Sequence, residues 1–376
     1  MIYLDNSATT RPLPEAAEAV YTMLTDNFGN PSSFHRAGLD ANAALRAARE
    51  AVAAALSAEP EEIFFTSGGT EANNLAIFGA AAANRRKGKR IVTTAIEHES
   101  VLEAVNELEK QGFEVVRLMP DVQGNIAEEQ LTEAITPDTV LVTVMYVNNE
   151  VGSVLPVQAI RKAVRRAGAP ALVHIDCVQA FGKLPVKPKK LGADLVTVTA
   201  HKVHGPKGVG ALYVRKGVRI VPRQYGGAQE NKLRPGTEAS PLIAGFGKAV
   251  ALLPDDKEQA QQMRALNAYA REQLTAIDGI KLNSGEAASD YIVNLYVPSF
   301  MTSQTLVQHL SSQYGICLSS GSACAKGKKS HVLTAMHLPD KVIEHSVRVS
   351  FSRFNTKEDI DALADALRET VKEYPL

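Results

Sequence analysis

Lys202 is the residue of this sequence with the clearest capacity for covalent chemistry. It follows the apolar run 193–198 and lies in the Gly- and Pro-containing loop 199–208. Burial of an amine in such a place lowers its pKa, and an uncharged amine condenses with carbonyl groups. Most lysines are solvated surface charges, so this position indicates an imine-forming amine only in combination with its neighbours.

Asp176 ends the preceding apolar run, which spans residues 171–176. A carboxylate held beside a pyridine nitrogen keeps that nitrogen protonated and the ring a strong electron sink. Gln179, in the same turn, is placed to donate a hydrogen bond to a phenolic oxygen. The alternative is that Asp176 caps a helix and Gln179 lies on the surface. Asp and then Lys at two consecutive strand ends favour the chemical interpretation.

A Gly-Gly-Thr turn joins the short apolar run 63–65 to a helical pattern. Such a turn points backbone N–H groups and a positive helix end at one spot, which suits a phosphate. Gly69 allows close approach, and Thr70 adds a hydroxyl donor unless it only caps the helix. The sequence has no Gly-x4-Gly-Lys-Ser/Thr pattern, so nothing supports a nucleoside triphosphate site.

Two further residues are suited to proton exchange or to nucleophilic attack. His98 follows a strand-like run, where its ring can stack on an aromatic cofactor and exchange protons near pH 7. Cys324 lies in a loop of small residues with three lysines just beyond it, and nearby cations favour the thiolate. Cys177 and Cys317 have apolar neighbours and are predicted to be small buried residues.

The elements that must position these residues alternate between helix and strand from about residue 14 to 255. The predicted strands of this region are 63–65, 91–94, 140–146, 172–175, 195–198 and 211–214. Alternation of this kind predicts an α/β fold with a mostly parallel sheet covered by helices. Because ligands in open α/β sheets bind beyond the carboxyl ends of strands, the candidate residues and the architecture support each other. After a composition break at 253–256, a helix, a strand and a closing helix predict a smaller α+β unit.

The composition is that of a water-soluble enzyme of about two domains. The 376 residues include 41 basic and 41 acidic ones, so strong attraction to nucleic acid or membranes is not expected overall. Three irregularly spaced cysteines predict neither a disulfide framework nor a zinc site and suit a reducing cytoplasm. We find no targeting pattern, and the apolar run 75–83 is too short to cross a bilayer.

A series of short motifs is spread over nearly the whole chain. They are 3–10 (YLDNSATT), 29–33 (GNPSS), 66–71 (TSGGTE), 147–150 (VNNE), Asp176 with Gln179, His201 with Lys202, 234–238 (RPGTE), 319–324 (SSGSAC) and 348–353 (RVSFSR). In this order they resemble the cysteine desulfurases, pyridoxal-phosphate enzymes that take sulfur from cysteine and leave alanine. Chance agreement at so many motifs is negligible.

The resemblance implies a catalytic role for three residues. Lys202 would form the internal imine with pyridoxal 5'-phosphate and exchange the substrate's α-proton. His98 would stack on the ring and shuttle protons. Cys324 would attack the substrate's sulfur and carry it as a persulfide.

The resemblance also implies the binding residues. Asp176 would hold the pyridine nitrogen and Gln179 the phenolic oxygen. The phosphate contacts would come from Gly69, Thr70, Thr199 and His201, with Thr237 supplied by the neighbouring subunit. Asn149 and Arg353 would fix the substrate carboxylate, for which a forked guanidinium is the natural partner.

For the whole chain the resemblance implies the pyridoxal-phosphate-dependent transferase fold of type I. A large domain, 14–255, would bind the cofactor, and a small domain, 1–13 plus 256–376, would carry the cysteine loop. A homodimer would place its sites at the interface. The partners would be L-cysteine and a sulfur-accepting protein for iron–sulfur assembly or tRNA and cofactor thiolation, without direct nucleic-acid binding.

Two departures from the family pattern concern Thr199, often serine in the family, and the loop after Cys324. That loop is short and basic, which leaves the acceptor open and favours a dedicated one. A selenocysteine lyase or another aminotransferase-like enzyme would share Lys202 and Asp176 without needing Cys324 for its own substrate. A non-catalytic sulfur-relay scaffold would form no alanine, and a Rossmann dehydrogenase lacks support because the first βα unit has no Gly-x-Gly-x-x-Gly turn.

Overall fold

The computed structural model describes residues 1–254, 256–321 and 329–376, except for the side chain of Asp256. The strands are β1 (Ile2–Tyr3), β2 (Ile63–Thr66), β3 (Arg90–Thr94), β4 (Glu114–Leu118), β5 (Thr139–Met145), β6 (Leu172–Asp176), β7 (Leu195–Thr199), β8 (Gly210–Val214), β9 (Lys281–Leu282), β10 (Ile292–Tyr296), β11 (Ile316–Cys317) and β12 (Ser346–Ser350). The helices are α1 (Pro14–Thr25), α2 (Arg36–Leu56), α3 (Gly69–Asn84), α4 (Glu99–Lys110), α5 (Glu128–Ala134), α6 (Val157–Ala167), α7 (Pro188–Leu191), α8 (Ser240–Ala251), α9 (Asp256–Thr275), α10 (Ser303–Tyr314), α11 (His331–Ala335), α12 (Asp340–Glu344) and α13 (Lys357–Glu373).

A seven-stranded sheet in the order β2-β8-β7-β6-β5-β3-β4 forms the centre of the fold. Adjacent strands of this sheet pair in parallel, except that β8 is antiparallel to both β2 and β7. Every residue of β5, β7 and β8 is buried, as expected for apolar strands covered by helices on both faces. The predicted α/β fold with a mostly parallel sheet is confirmed.

The predicted strands of this sheet are confirmed to within a residue or two, whereas β4 was not predicted. In β4 only Leu118 is buried, because the strand lies at the edge of the sheet. An edge strand with charged residues at Glu114 and Arg117 lacks the apolar run by which its neighbours were found.

The C-terminal part contains a second, antiparallel sheet in the order β12-β10-β9. The N-terminus packs with this part, because β1 pairs in parallel with β11 and Asp5 bridges to Ser350. A continuous apolar cluster extends from Val173 in the central sheet to Val347 in β12. The two parts therefore share a core, and the domain boundary near residue 255 stays a prediction.

Within the described residues, no helix is both long and apolar enough to span a membrane. Among the same residues, no cluster of three or more His, Cys, Asp or Glu side chains is arranged to hold a metal ion. Cys177 is fully buried as predicted, but Cys317 is only half-buried, because the short strand β11 lies beside the exposed end of α10.

Candidate active site

A cavity of about 300 Å³ opens at the carboxyl edge of the central sheet. Among its lining residues, those at or just after strand ends of the sheet, which we call the strand-end region, are Gly69, Thr70, His98, Asp176, Gln179, Thr199, His201 and Lys202. Those from the C-terminal part, which we call the C-terminal wall, are Gly321, Lys329, His331 and Arg348. The lining thus contains nine predicted site residues, the eight of the strand-end region and Asn149, together with the four of the C-terminal wall, which the motifs did not assign to a site.

Lys202 ends a single 3₁₀ turn, Ala200–Lys202, directly after β7. Its Nζ donates hydrogen bonds to the carbonyl oxygens of Ser7 and Ala8, the latter at 2.8 Å. The N-terminal segment therefore holds the amine at the cavity, half-buried rather than in bulk solvent.

Asp176 is the last residue of β6, and its carboxylate is anchored at both oxygens. Oδ1 accepts from the Val178 N–H at 2.9 Å, and Oδ2 accepts from Asn73 Nδ2 at 2.8 Å. The side chain is only 5% exposed. Gln179 Nε2 donates to the Ser7 carbonyl at 2.9 Å, so the acid and the amide lie in one turn, as predicted.

His98 is the N-cap of α4, and its Nδ1 accepts from the Ser100 N–H at 3.1 Å. Burial lowers the pKa of His98 below its ordinary value, and the charge of Lys202 acts in the same direction while Asp176 opposes it. The ring is therefore neutral at pH 7.

The first turn of α3 begins at Gly69 and Thr70, whose N–H groups have no acceptor within the helix. Thr199 and His201 lie on the same side of the cavity. Burial lowers the pKa of His201 to about 3, so this histidine is uncharged at neutral pH. A helix N-terminus with hydroxyl and imidazole groups around it is a suitable seat for a phosphate.

Arg348, a residue of the C-terminal wall, begins the motif 348–353, but the motif analysis assigned it no role. It lies in the middle of β12, is 2% exposed, and donates to Asp5 Oδ1 at 2.7 Å and to the Asn149 carbonyl at 2.8 Å. Its Nε is buried and has no partner among the described residues. A lone arginine in an apolar strand is a sequence signal that could have identified it, because a buried charge requires partners or a ligand.

Arg353 is not in the lining of this cavity. It lines a smaller neighbouring cavity that Lys202 also borders, and its Nη1 donates to the Leu252 carbonyl at 2.9 Å. Arg353 comes after β12 has ended, whereas Arg348 lies within that strand. Asn149 itself is in the lining, beside Arg348 rather than Arg353.

Of the two remaining predicted residues, one is not brought to the cavity by this single chain and the other lies outside the described residues. Thr237 is exposed in the segment between β8 and α8 and is not in the cavity lining. Cys324 falls in 322–328, outside the described residues. The residues on either side of that segment, Gly321 and Lys329, both line the cavity.

Sequence comparisons place the chain among known enzymes. A family model described as aminotransferase class-V matches residues 2–363. The cysteine desulfurase IscS of Methanosarcina thermophila is 42% identical over 375 residues, which cover 99% of this chain and 92% of that protein. A cysteine desulfurase of Trichormus azollae is 42% identical over 376 residues, with 99% of this chain and 93% of that protein covered.

Solved structures agree with these sequence matches. A NifS-like protein superposes with a TM-score of 0.92 at 35% identity, covering 99% of both chains. The structure titled SspA in complex with cysteine superposes with a TM-score of 0.82 at 35% identity, covering 95% of this chain and 100% of that one.

The chain therefore belongs to the class-V aminotransferase family, which the fold and the cavity at the sheet edge also fit. Within that family it belongs to the cysteine desulfurases, as the motifs predicted. The members of this group are pyridoxal-phosphate-dependent enzymes.

Proposed function

We propose that this chain converts L-cysteine into L-alanine and passes the sulfur, held as a persulfide on Cys324, to an acceptor protein. The observation that carries the proposal is the convergence of an amine, a carboxylate and a helix N-terminus on one cavity. Lys202, Asp176 and Gly69 lie far apart in sequence and meet at the carboxyl edge of the sheet, where open α/β sheets bind ligands.

Pyridoxal 5'-phosphate fits the donor set of this cavity. Lys202 supplies an amine for its aldehyde, Asp176 an anion for its ring nitrogen, and the start of α3 donors for its phosphate. Asn73 Oδ1 and Ser7 Oγ are buried here without partners among the described residues, as expected of polar atoms beside a site for a polar ligand. When bound, the cofactor supplies an electron sink for the charge left by removal of the substrate's α-proton.

The remaining strand-end residues are assigned the roles that the resemblance implies, and their presence in the cavity lining supports this assignment. Gln179 would donate to the phenolic oxygen, and Thr70, Thr199 and His201 would contact the phosphate. His98 would stack on the ring. Lys202 removes and returns the α-proton, for which a half-buried amine in the cavity wall is suited.

Substrate binding is proposed for Asn149 together with Arg348 in place of the predicted Arg353. Arg348 lines the cavity and donates to the Asn149 carbonyl, whereas Arg353 faces the smaller cavity. A buried guanidinium is a strong partner for a carboxylate. The structural neighbour titled as a cysteine complex supports cysteine as the molecule that carries this carboxylate.

A homodimer is proposed because this chain exposes large aromatic side chains. Phe28, Phe34 and Tyr225 are 73, 97 and 85% exposed, and exposed apolar groups of this size are typical of interfaces. Thr237, exposed on the segment after β8, would then reach the phosphate seat of the partner subunit. Sedimentation equilibrium should give twice the chain mass, and Thr237→Val should weaken cofactor binding without dissociating the dimer.

The sulfur acceptor is proposed to be a dedicated cytoplasmic protein of iron–sulfur assembly or of tRNA and cofactor thiolation. The short basic segment after Cys324 supports a specific partner, and three irregularly spaced cysteines suit a reducing cytoplasm. Transfer of labelled sulfur to a purified candidate acceptor tests this step. Equal transfer to several unrelated proteins would contradict a dedicated partner.

The central test compares wild type with Cys324→Ser. With L-cysteine and an added dithiol reductant, wild-type holoenzyme should form alanine and a Cys324 persulfide, from which the dithiol releases sulfide, whereas Cys324→Ser should keep the cofactor's visible absorbance and lose sulfide release. A selenocysteine lyase, the alternative enzyme, would retain turnover of L-selenocysteine in the Cys324→Ser variant. Absence of alanine from wild type supplied with L-cysteine would reject the proposed function.

A further inference from the structure

Two residues outside the motif-derived site connect Asp176 with His98. Asn73, on α3, donates from Nδ2 to Asp176 Oδ2 at 2.8 Å and to Ser100 Oγ at 2.8 Å. Ser100, on α4, lies 2.9 Å through its Oγ from His98 Nδ1. Both Asn73 and Ser100 are buried, at 1 and 8% exposure, so these hydrogen bonds are shielded from competing water.

The directions of these hydrogen bonds follow from the donor at one end. An amide nitrogen only donates, so Ser100 Oγ is an acceptor toward Asn73. Its own proton is then available for His98 Nδ1 at 2.9 Å. Nδ1 also receives the Ser100 backbone N–H at 3.1 Å, and a nitrogen that accepts an N–H carries no proton itself.

A neutral imidazole bears a single proton, so in this arrangement that proton lies on Nε2. Protonating Nδ1 as well would place a cation at the N-terminus of α4, where the helix dipole disfavours positive charge. The charged or titratable groups that face His98 are Asp176, Lys202, Glu99 and His331. Burial outweighs the attraction of the two acids and keeps the ring neutral.

We propose that Asn73 and Ser100 are positioning residues that hold His98 as the neutral tautomer protonated on Nε2. In this form His98 offers the cavity a hydrogen-bond donor and no basic lone pair. The inference deepens the proposed function and rests on it for its catalytic meaning. The resemblance implied that His98 stacks on the ring and shuttles protons. In the narrower role proposed here, His98 donates a hydrogen bond from Nε2 to an acceptor atom in the cavity and polarises that atom, while Lys202 performs the α-proton transfer.

The tautomer is measured by nitrogen NMR on holoenzyme labelled with ¹⁵N at its histidine rings, with His98 assigned from the signals lost in His98→Gln. We expect Nδ1 of His98 to show the shift of an unprotonated nitrogen from pH 6 to 8. Ser100→Ala leaves Nδ1 only the backbone N–H donor, so both nitrogens should move part of the way toward averaged values, and Ser100→Thr, which retains a hydroxyl, should restore them. A protonated Nδ1 in wild type, or unchanged shifts in Ser100→Ala, would overturn the proposal.

A pair of substitutions at His98 separates donation from base catalysis. His98→Gln keeps an N–H donor without a ring, and His98→Phe keeps a ring without a donor. We expect alanine formation to fall about tenfold or less in His98→Gln and about 100-fold or more in His98→Phe, as is usual for loss of a donor at a developing charge. Equal losses of alanine formation in His98→Gln and His98→Phe would overturn the proposal that His98 acts by donating a hydrogen bond.

The acid limb of the pH–rate profile provides a readout for Ser100. Loss of the Oγ donor removes about one hydrogen bond that opposes protonation of Nδ1, so the limb of Ser100→Ala should move up by about half to one pH unit. An unmoved limb contradicts the proposal. If wild type forms no alanine from L-cysteine the proposed function fails, whereas the NMR result still decides the tautomer.

Discussion

The strand-end region and the C-terminal wall enclose the same cavity, but the chain produces them in different ways. The strand-end residues each end or closely follow a strand of one sheet, so a single edge of a regular structure gathers them. The C-terminal wall arises only when β12 and α11 dock against that edge, through contacts such as Arg348 with the Asn149 carbonyl and His331 with the Glu97 carbonyl. Local sequence patterns therefore determine the strand-end region, whereas packing between residues distant in sequence determines the C-terminal wall.

The largest effect is expected at Lys202, the centre of the strand-end region. Lys202→Ala should abolish the visible absorbance of the lysine–cofactor bond and reduce alanine formation by about a thousandfold or more, because no other group supplies the same covalent step. Lys207→Ala is the matched control, since Lys207 is an exposed lysine of the same loop. Absorbance spectra and single-turnover kinetics measure both effects. A Lys202→Ala spectrum like that of wild type would refute the assignment.

The next largest effect is expected when each of the two candidate arginines is replaced by lysine in turn. Arg348→Lys should raise KM for L-cysteine by about 10- to 100-fold, because it replaces a forked donor with a single ammonium at the cavity. Arg353→Lys should change KM by about threefold or less, since Arg353 faces the smaller cavity. Thermal melts of both variants serve as the folding control, because Arg348 also binds Asp5. The reverse ranking of the two KM values would restore the prediction made from sequence.

The contrast between these arginines shows how far sequence reasoning could reach. The strands that carry Lys202 and Asp176 are buried on both faces, so each is a conspicuous apolar run whose end is easy to locate. Because the carboxyl ends of parallel strands meet at one edge of a sheet, these two ends can be placed together without knowledge of any contact. The fold class and most of the strand-end region follow from these patterns alone.

The C-terminal wall could not be predicted in the same way. Arg348 occupies the centre of a strand in which every residue is buried, a position where a charge is usually absent. Only the pairing of β12 with β10 and the arrival of Asp5 from the N-terminus reveal that its charge has partners and a face toward the cavity. Asn73 and Ser100 were missed for a related reason: each looks like an ordinary polar residue near the start of a helix.

A smaller effect is expected at the phosphate seat, where the structure leaves little room. A Cβ on Gly69 would lie 3.0 Å from Val178 Cγ2, so Gly69→Ala should displace the start of α3 and weaken cofactor binding by about fivefold, corresponding to about 1 kcal/mol of overpacking. Titration of apoenzyme with pyridoxal phosphate measures this. Because Val178→Ala removes the contacting methyl group, the double variant should recover most of the loss relative to Val178→Ala alone. If the losses of cofactor affinity in the two single variants simply added in the double variant, steric contact would not be the cause of the loss in Gly69→Ala.

The smallest effect on catalysis and the clearest on stability is expected at Glu97, which joins the two regions. Its Oε1 accepts from Thr94 Oγ1 at 2.7 Å and from the Met145 N–H at 3.0 Å, whereas its Oε2 is buried without a partner among the described residues. Burial raises the pKa of Glu97 from 4.5 to about 8. The folded state therefore keeps a proton that the unfolded state releases.

The sign of the pH dependence follows from this difference. Between pH 4.5 and 8, stability should decrease with pH by up to about 1.4 kcal/mol per pH unit through Glu97, and the contribution should level off above pH 8. Glu97→Gln preserves the neutral shape and removes the titration, so the variant should gain stability relative to wild type as pH rises from 5 to 8. Urea unfolding of both holoenzymes at equal concentration isolates the difference. A stability difference independent of pH would show that Glu97 is ionised in the folded protein and that an unseen partner satisfies Oε2.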